Sequence, residues 1–191
     1  MKFNLDQNSR YGIMLSGGLD SAILLGLLLL ENKNINIQPF TIPKTDGAML
    51  YADPVIAYIN SKFDTSIPNT IKVGDPNVHH RQQSKTAVKE IFENYNIDRL
   101  FIAINRNPEE LAEMPGAPKR DTRSDNFKVV FPFVDLLKTD IIRLAIENNL
   151  VELFNITHSC TEQQRGRCGK CWQCTERSWA FNQLDLSDID T

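Results

Sequence analysis

Apolar and polar positions along this chain alternate between two periods. Residues 11–15 form a short apolar run that stops abruptly at Ser16-Gly17-Gly18, the pattern of a buried strand feeding a loop. A Leu-rich stretch follows to about residue 31, with Asp20 or Ser21 placed to cap a buried helix. Residues 35–42 read as the next strand, closed by Pro43 and the turn-like 44–47. A helix over 50–62 is expected to open at Asp53-Pro54, where proline suits a first turn. A short strand over 70–73 precedes a helix over 82–95, whose apolar face is Ala87, Val88, Ile91 and Phe92. Strands over 99–104 and 128–133 flank a long polar segment, 105–126, of a length usually reserved for functional or disordered loops. Helices over 138–148 and 172–184 and an acidic tail over 185–191 complete the pass.

Strand and helix patterns thus alternate throughout. They predict an α/β fold, a mainly parallel sheet covered by helices on both faces. The simplest organisation is one globular unit, with residues 1–154 as its main body and 155–191 as a C-terminal segment and helix.

Composition narrows the class. At 191 residues, 41% hydrophobic and 24% charged, the chain has the makeup of a soluble globular domain. A net charge of -3 argues against wholesale capture of nucleic acid or anionic membrane. The stretch 1–10 is polar and the apolar run 23–30 is too short to span a bilayer, so a cytoplasmic address is the default expectation. In that compartment the four cysteines are not expected to pair as disulfides.

The first candidate chemistry lies in Leu15-Ser16-Gly17-Gly18-Leu19-Asp20-Ser21. Two glycines between a strand and a helix permit a backbone that a Cβ would forbid. The loop's N–H groups and the helix N-terminus then form a cradle for phosphate oxygens, with Ser16 and Ser21 adding hydroxyls. The spacing fits neither the Walker loop nor the dinucleotide loop, and the loop carries no lysine. The second chemistry is Cys160, Cys168, Cys171 and Cys174, a C-x7-C-x2-C-x2-C pattern. Two-residue gaps let neighbouring thiolates turn onto one ion, and four thiolates suit a closed, structural Zn²⁺ site. An iron–sulfur cluster is the competing occupant. Arg165, Arg167 and Lys170 are expected to offset part of the charge, and His158 is read as a solvated histidine. His79, His80, Lys85 and Lys89 read as polar surface, and Trp172, Trp179 and Phe181 as packing around the metal loop.

The loop resembles the signature of the PP-loop ATP pyrophosphatases, the adenine nucleotide alpha hydrolase (HUP-like) class. Loop and cysteines together resemble the 7-cyano-7-deazaguanine synthase family. Further support comes from Thr157-His158-Ser159-Cys160, Cys174-Thr175-Glu176-Arg177 and the stretch 131–140. The resemblance implies an ATP-dependent C–N ligase converting 7-carboxy-7-deazaguanine and ammonia to the nitrile preQ0 through an adenylated intermediate. It implies ATP bound by residues 15–21 (Leu15, Ser16, Gly17, Gly18, Leu19, Asp20 and Ser21) with Phe40 and Thr41. Ser16, Asp20 and Ser21 would be the catalytic set, with Mg²⁺ accompanying ATP and Zn²⁺ structural. Arg81, Asp121 and Arg123 are the candidate substrate-binding residues, and the resemblance favours a homodimer. The chain departs from the family at Pro43-Lys44-Thr45-Asp46-Gly47, where a Gln-Arg-His-like segment is usual, and Asp121-Thr122-Arg123 matches an Asp-Cys-Arg only in part. Alternatives are a ligase that stops at the amide or acts on another carboxylate, tRNA or protein, and a non-catalytic zinc-ribbon module that binds nucleic acid.

Overall fold

A computed structural model describes residues 1–44, 46–75, 77, 80–119 and 127–188, with backbone alone for 80 and 81. Five strands, β1 (Tyr11–Met14), β2 (Ile37–Thr41), β3 (Ile71–Lys72), β4 (Arg99–Phe101) and β5 (Val129–Val130), form one sheet in the order β3-β2-β1-β4-β5. Every pairing is parallel, with Ile13 opposite both Pro39 and Phe101. The chain builds outward through β2 and β3, then returns to the other side of β1 for β4 and β5. The order therefore reverses between β1 and β4, the point where ligands bind in open α/β sheets.

Period-two alternation sends the side chains to two separate cores. Tyr11, Ile13 and Phe101 join a large cluster with α1 (Leu19–Glu31), α2 (Ala52–Phe63), α4 (Lys138–Glu147), α5 (Leu153–Ile156) and α6 (Trp172–Asn182). Phe40, Leu100 and Val73 face the other way, against Ala87 and Ile91 of α3 (His80–Asn94). Both faces of the sheet are thus covered, as the near-continuous apolar strands require. Helix α1 is apolar on all sides from Ala22 to Leu29 and buried there between the sheet and the outer helices, with Leu30 and Glu31 exposed at its end. Phe181 and Ala180 of α6 belong to that same core, which ties the C-terminal segment to the first helix. Among the described residues no helix is long and apolar enough to cross a membrane.

The strands are shorter than their apolar runs. Leu15, Ile42, Ile102 and Ala103 continue the pattern of β1, β2 and β4 just past the strand ends, and all four line a cavity at the carboxyl end of the sheet. Apolar character there serves the cavity wall. The second helix starts earlier than expected, in a 3₁₀ turn at Ala48–Tyr51. Asp53 is turned to receive the Thr70 N–H and hydroxyl at 3.1 and 3.0 Å. Gly18, not Asp20 or Ser21, caps α1. The Asp140 carboxylate reaches back to the Leu137 N–H at 2.9 Å and starts α4. The four-residue α5 went unseen in the sequence because one turn shows no period. Within the acidic tail, Asp188 is drawn onto Arg177 and Arg167.

Candidate active site and metal centre

Gly17 adopts φ +84°, and a Cβ there would lie 2.1 Å from the Ala48 carbonyl oxygen. Only glycine allows both the turn and this approach of two backbones. The loop is cross-braced from within. The Ser16 N–H donates to Ser21 Oγ at 3.3 Å, the Gly18 N–H to Ser16 Oγ at 3.2 Å, and Ser21 Oγ donates to the Gly18 carbonyl at 3.1 Å. From outside, the His158 N–H donates to the Gly17 carbonyl at 3.0 Å. The cysteine-bearing segment therefore holds the loop directly.

These residues open on a cavity of about 270 Å³ between the ends of β1, β2 and β4. Leu15, Ser16, Gly18, Leu19, Asp20, Ser21 and Thr41 line it. Phe40 does not reach it, because its ring lies in the core on the α3 side, edge-on to Tyr95 at 5.0 Å. Its carbonyl instead accepts the Leu15 N–H at 2.7 Å. The Thr41 hydroxyl is buried in the cavity wall with no hydrogen-bond partner among the described residues, a donor left for a ligand. The Arg81 side chain, Asp121 and Arg123 lie outside the described residues.

The sequence reading missed a charged residue that reaches the loop end of the cavity. Lys138, at the start of α4, is 5% exposed and places its ammonium 2.7 Å from Asp20 Oδ2 and 3.2 Å from Glu176 Oε2. Asn105 donates to the other Glu176 oxygen at 2.9 Å. The loop carries no lysine of its own; the fold supplies one from 118 residues away. Its only sequence signal is a lysine at a helix start, which is ordinary. Lys44 and Asp46, in the segment that departs from the family pattern, also line the cavity, and Lys44 is exposed at its mouth.

His158 is not solvated. It is 2% exposed, lies against Tyr51 with ring centroids 4.6 Å apart, and its Nε2 meets the Gln163 carbonyl at 2.7 Å. Backbone pinning at Gly17 places the residue between loop and metal segment, so its ring has no route to water.

The four cysteine sulfurs all lie within 4.8 Å of one another, with Cys168 and Cys174 4.0 Å apart. A tetrahedral ion with Zn–S bonds of about 2.3 Å needs sulfurs about 3.8 Å apart, so the donor set fits a metal ion with small adjustment. The Cys171 N–H points to Cys168 Sγ at 3.2 Å and the Glu162 N–H to Cys160 Sγ at 3.4 Å, donors that support thiolate. Burial opposes ionisation of Cys171, but N–H groups of Thr161 and Cys174 outweigh it and bring the thiol down to about 6. Burial, and after it the neighbouring Cys171, pushes Cys174 up to about 12. Cys160 lines the cavity as well, so metal centre and cavity share a wall. Arg167, expected to offset thiolate charge, is paired instead with Asp188.

Arg177 anchors this segment. It is fully buried and donates to the Phe154 carbonyl at 2.6 Å, to Thr157 Oγ1 at 3.2 Å and to both oxygens of Asp188. Burial lowers its pKa, and the Asp188 carboxylate opposes that shift.

The fold and site define a class first. The chain superposes on the NMN synthetase of Francisella tularensis with a TM-score of 0.55 over 94% of this chain and 78% of that one. At 13% identity the likeness is one of fold, a parallel α/β sheet of PP-loop type. The family follows from sequence. Residues 100–185 match the family model described as queuosine biosynthesis protein QueC. The chain is 26% identical to the 7-cyano-7-deazaguanine synthase of Prochlorococcus marinus subsp. pastoris, covering 94% of this chain and 96% of that one. Local matches reach 39% over 57 residues with the synthase of Caldicellulosiruptor bescii. The chain is thus similar to the 7-cyano-7-deazaguanine synthases, over residues 100–185 by the family model and over nearly its whole length at low identity. The matches to the two Caldicellulosiruptor synthases span only 25% and 36% of those proteins. The Prochlorococcus alignment, at 225 positions, is longer than this 191-residue chain, so that relative carries internal segments absent here.

Proposed function

We propose that the chain is an ATP-dependent synthase that makes 7-cyano-7-deazaguanine from 7-carboxy-7-deazaguanine and ammonia. In the first round the substrate carboxylate attacks the α-phosphorus of ATP and pyrophosphate leaves. Ammonia then displaces AMP to give the amide. In the second round the amide oxygen takes AMP from a second ATP and departs with it, leaving the nitrile. The net change consumes acid, ammonia and two ATP, and yields nitrile, two AMP and two pyrophosphate. The observation that carries this reading is the cavity at the β1/β4 reversal, where the braced Ser16–Ser21 loop meets the Asp20–Lys138 pair.

Each residue has a role under this reading. The loop N–H groups and Lys138 stabilise the charge on the departing pyrophosphate. Mg²⁺, when bound with ATP, would neutralise charge on the same oxygens, and Oδ1 of Asp20, without a hydrogen-bond partner among the described residues, is the oxygen offered to it. No nucleophilic side chain is needed, because the substrate supplies the attacking oxygen. Incubation with ATP, Mg²⁺, ammonium and the acid, with products separated by mass spectrometry, tests the proposal. Nitrile with two AMP per turnover is expected. Amide alone would move the assignment to an amide-forming ligase, and pyrophosphate release independent of the acid would overturn it.

Lys44 is the group proposed to meet the substrate carboxylate at the cavity mouth. Lys44→Met should raise KM for the anionic acid several-fold while leaving KM for the neutral amide near the wild-type value. Steady-state kinetics started from each substrate separate the two cases. Equal effects on both would remove this role.

Zinc is the metal proposed for the four thiols, in a closed site without an open position for chemistry. Cys174→Ser should abolish stoichiometric zinc, measured by elemental analysis, and lower the melting temperature, since metal-binding energy is also folding energy. Affinity should fall as pH falls, because each thiol must lose its proton to bind. A variant that keeps one zinc per chain would exclude Cys174 as a ligand.

A further inference from the structure

Three charged groups from three helices meet behind the phosphate end, and they are not equivalent. Asp20 of α1 lines the cavity, and its Oδ1 has no hydrogen-bond partner among the described residues. Glu176 of α6 is 1% exposed, with Lys138 on one oxygen and Asn105 on the other. Lys138 of α4 sits between the two carboxylates. One ammonium needs one counter-charge, and a second buried carboxylate is costly unless a further cation completes the set. Asp20 is the half-used, cavity-facing member. Glu176 is the one held from behind.

We propose that Glu176 is a positioning residue: it holds the Lys138 ammonium from the side of α6, so that Asp20 can turn to the Mg²⁺ that accompanies ATP. The inference rests on the ATP-dependent reading above and deepens it. Lys138 would otherwise have Asp20 as its main counter-ion, and each Mg²⁺ binding event would have to break that pair. With Glu176 in place the lysine keeps a partner throughout and stays where the pyrophosphate leaves. Glu176 lies two positions after Cys174 on the same helix, so the segment that holds the metal also sets the phosphate-site lysine.

The sign of the effect separates this role from simple charge. Neutralising a carboxylate near a polyanion should strengthen nucleotide binding by Coulomb's law. Loss of the positioning role should instead raise the Mg²⁺ requirement. The probe is α,β-methylene-ATP, bound by calorimetry across a Mg²⁺ titration to full-length protein of confirmed metal content and melting temperature. Glu176→Gln should raise the Mg²⁺ needed for half-saturation on the order of tenfold, the scale of one charge-assisted hydrogen bond. In a Lys138→Met background the same substitution should move that midpoint no further, because the residue it acts through is gone. Should Lys138→Met fail to fold, Asn105→Ala serves, since it removes one hydrogen bond that steadies Glu176 and leaves the ion pairs of Lys138 in place. It should shift the midpoint in the same direction by a smaller factor.

An unchanged midpoint in Glu176→Gln overturns the inference, as does an equal shift with and without Lys138. Wild-type protein that binds the analogue with Mg²⁺ yet forms no AMP from ATP, acid and ammonium sinks the proposed function and leaves this role standing. Normal turnover with no Glu176 effect sinks this role alone. A wild-type chain that does not bind the analogue removes both.

Discussion

Replacing Gly17 with alanine should destroy turnover, because the new methyl group would lie 2.1 Å from a backbone oxygen that has nowhere to yield. That oxygen belongs to Ala48, in the 3₁₀ turn that leads into α2, and Ala52 N is also within 3.1 Å of the added carbon. The left-handed φ adds its own cost of about 1 kcal/mol for any residue with a Cβ. Forcing apart two backbone segments in a packed region adds about 1–3 kcal/mol more. A phosphate cradle displaced by about 1 Å loses on the order of a hundredfold in rate. Gly116→Ala is the control. Gly116 has φ +87° but nothing within 4 Å of its added carbon, so it isolates the dihedral cost. Turnover and calorimetric unfolding of both variants check the prediction. Equal losses in the two would mean that the Ala48 contact contributes nothing.

Arg177→Met should produce the largest loss of stability. The guanidinium is fully buried and serves Asp188, the Phe154 carbonyl, Thr157 and Ser159 at once. Truncation leaves the Phe154 carbonyl without this donor and the largely buried Asp188 carboxylate with Arg167 but without Arg177, and removing one member of a buried pair costs about 3–5 kcal/mol. In a chain of this size that corresponds to a melting temperature lower by about 10 °C. Lysine should not rescue it, because one ammonium cannot reach partners arranged around a planar fork. Asp188→Asn should cost less, since the amide oxygen still accepts. A melting temperature within a degree or two of wild type for Arg177→Met would contradict this account.

The sequence made some features legible and hid others, for physical reasons. Residues 15–21 stood out because a strand that ends in two glycines before a helix is a local pattern. The four cysteines stood out because ligands of one ion lie close together in the chain. Strand ends were over-read at Leu15, Ile42 and Ile102, since an apolar residue that lines a cavity looks the same as one in a ladder. Lys138, Glu176 and Asn105 were hidden because their meeting is purely tertiary, and each alone is an ordinary polar residue. Burial of His158 depends on Tyr51 and Gly17, both more than a hundred positions earlier. The pairing of Asp188 was hidden in the acidic tail because nothing local announces a buried arginine eleven residues before it.

The hydrogen bond from His158 to the Gly17 carbonyl has a consequence for biosynthesis. A ribosome releases the Gly-Gly turn first, whereas Lys138 follows 118 residues beyond Asp20 and the His158 backbone that steadies the turn comes later still. Contacts so distant along the chain form late and slow the search for the native state. The loop of a nascent chain should therefore stay unbraced until the stretch from Lys138 to His158 has left the exit tunnel.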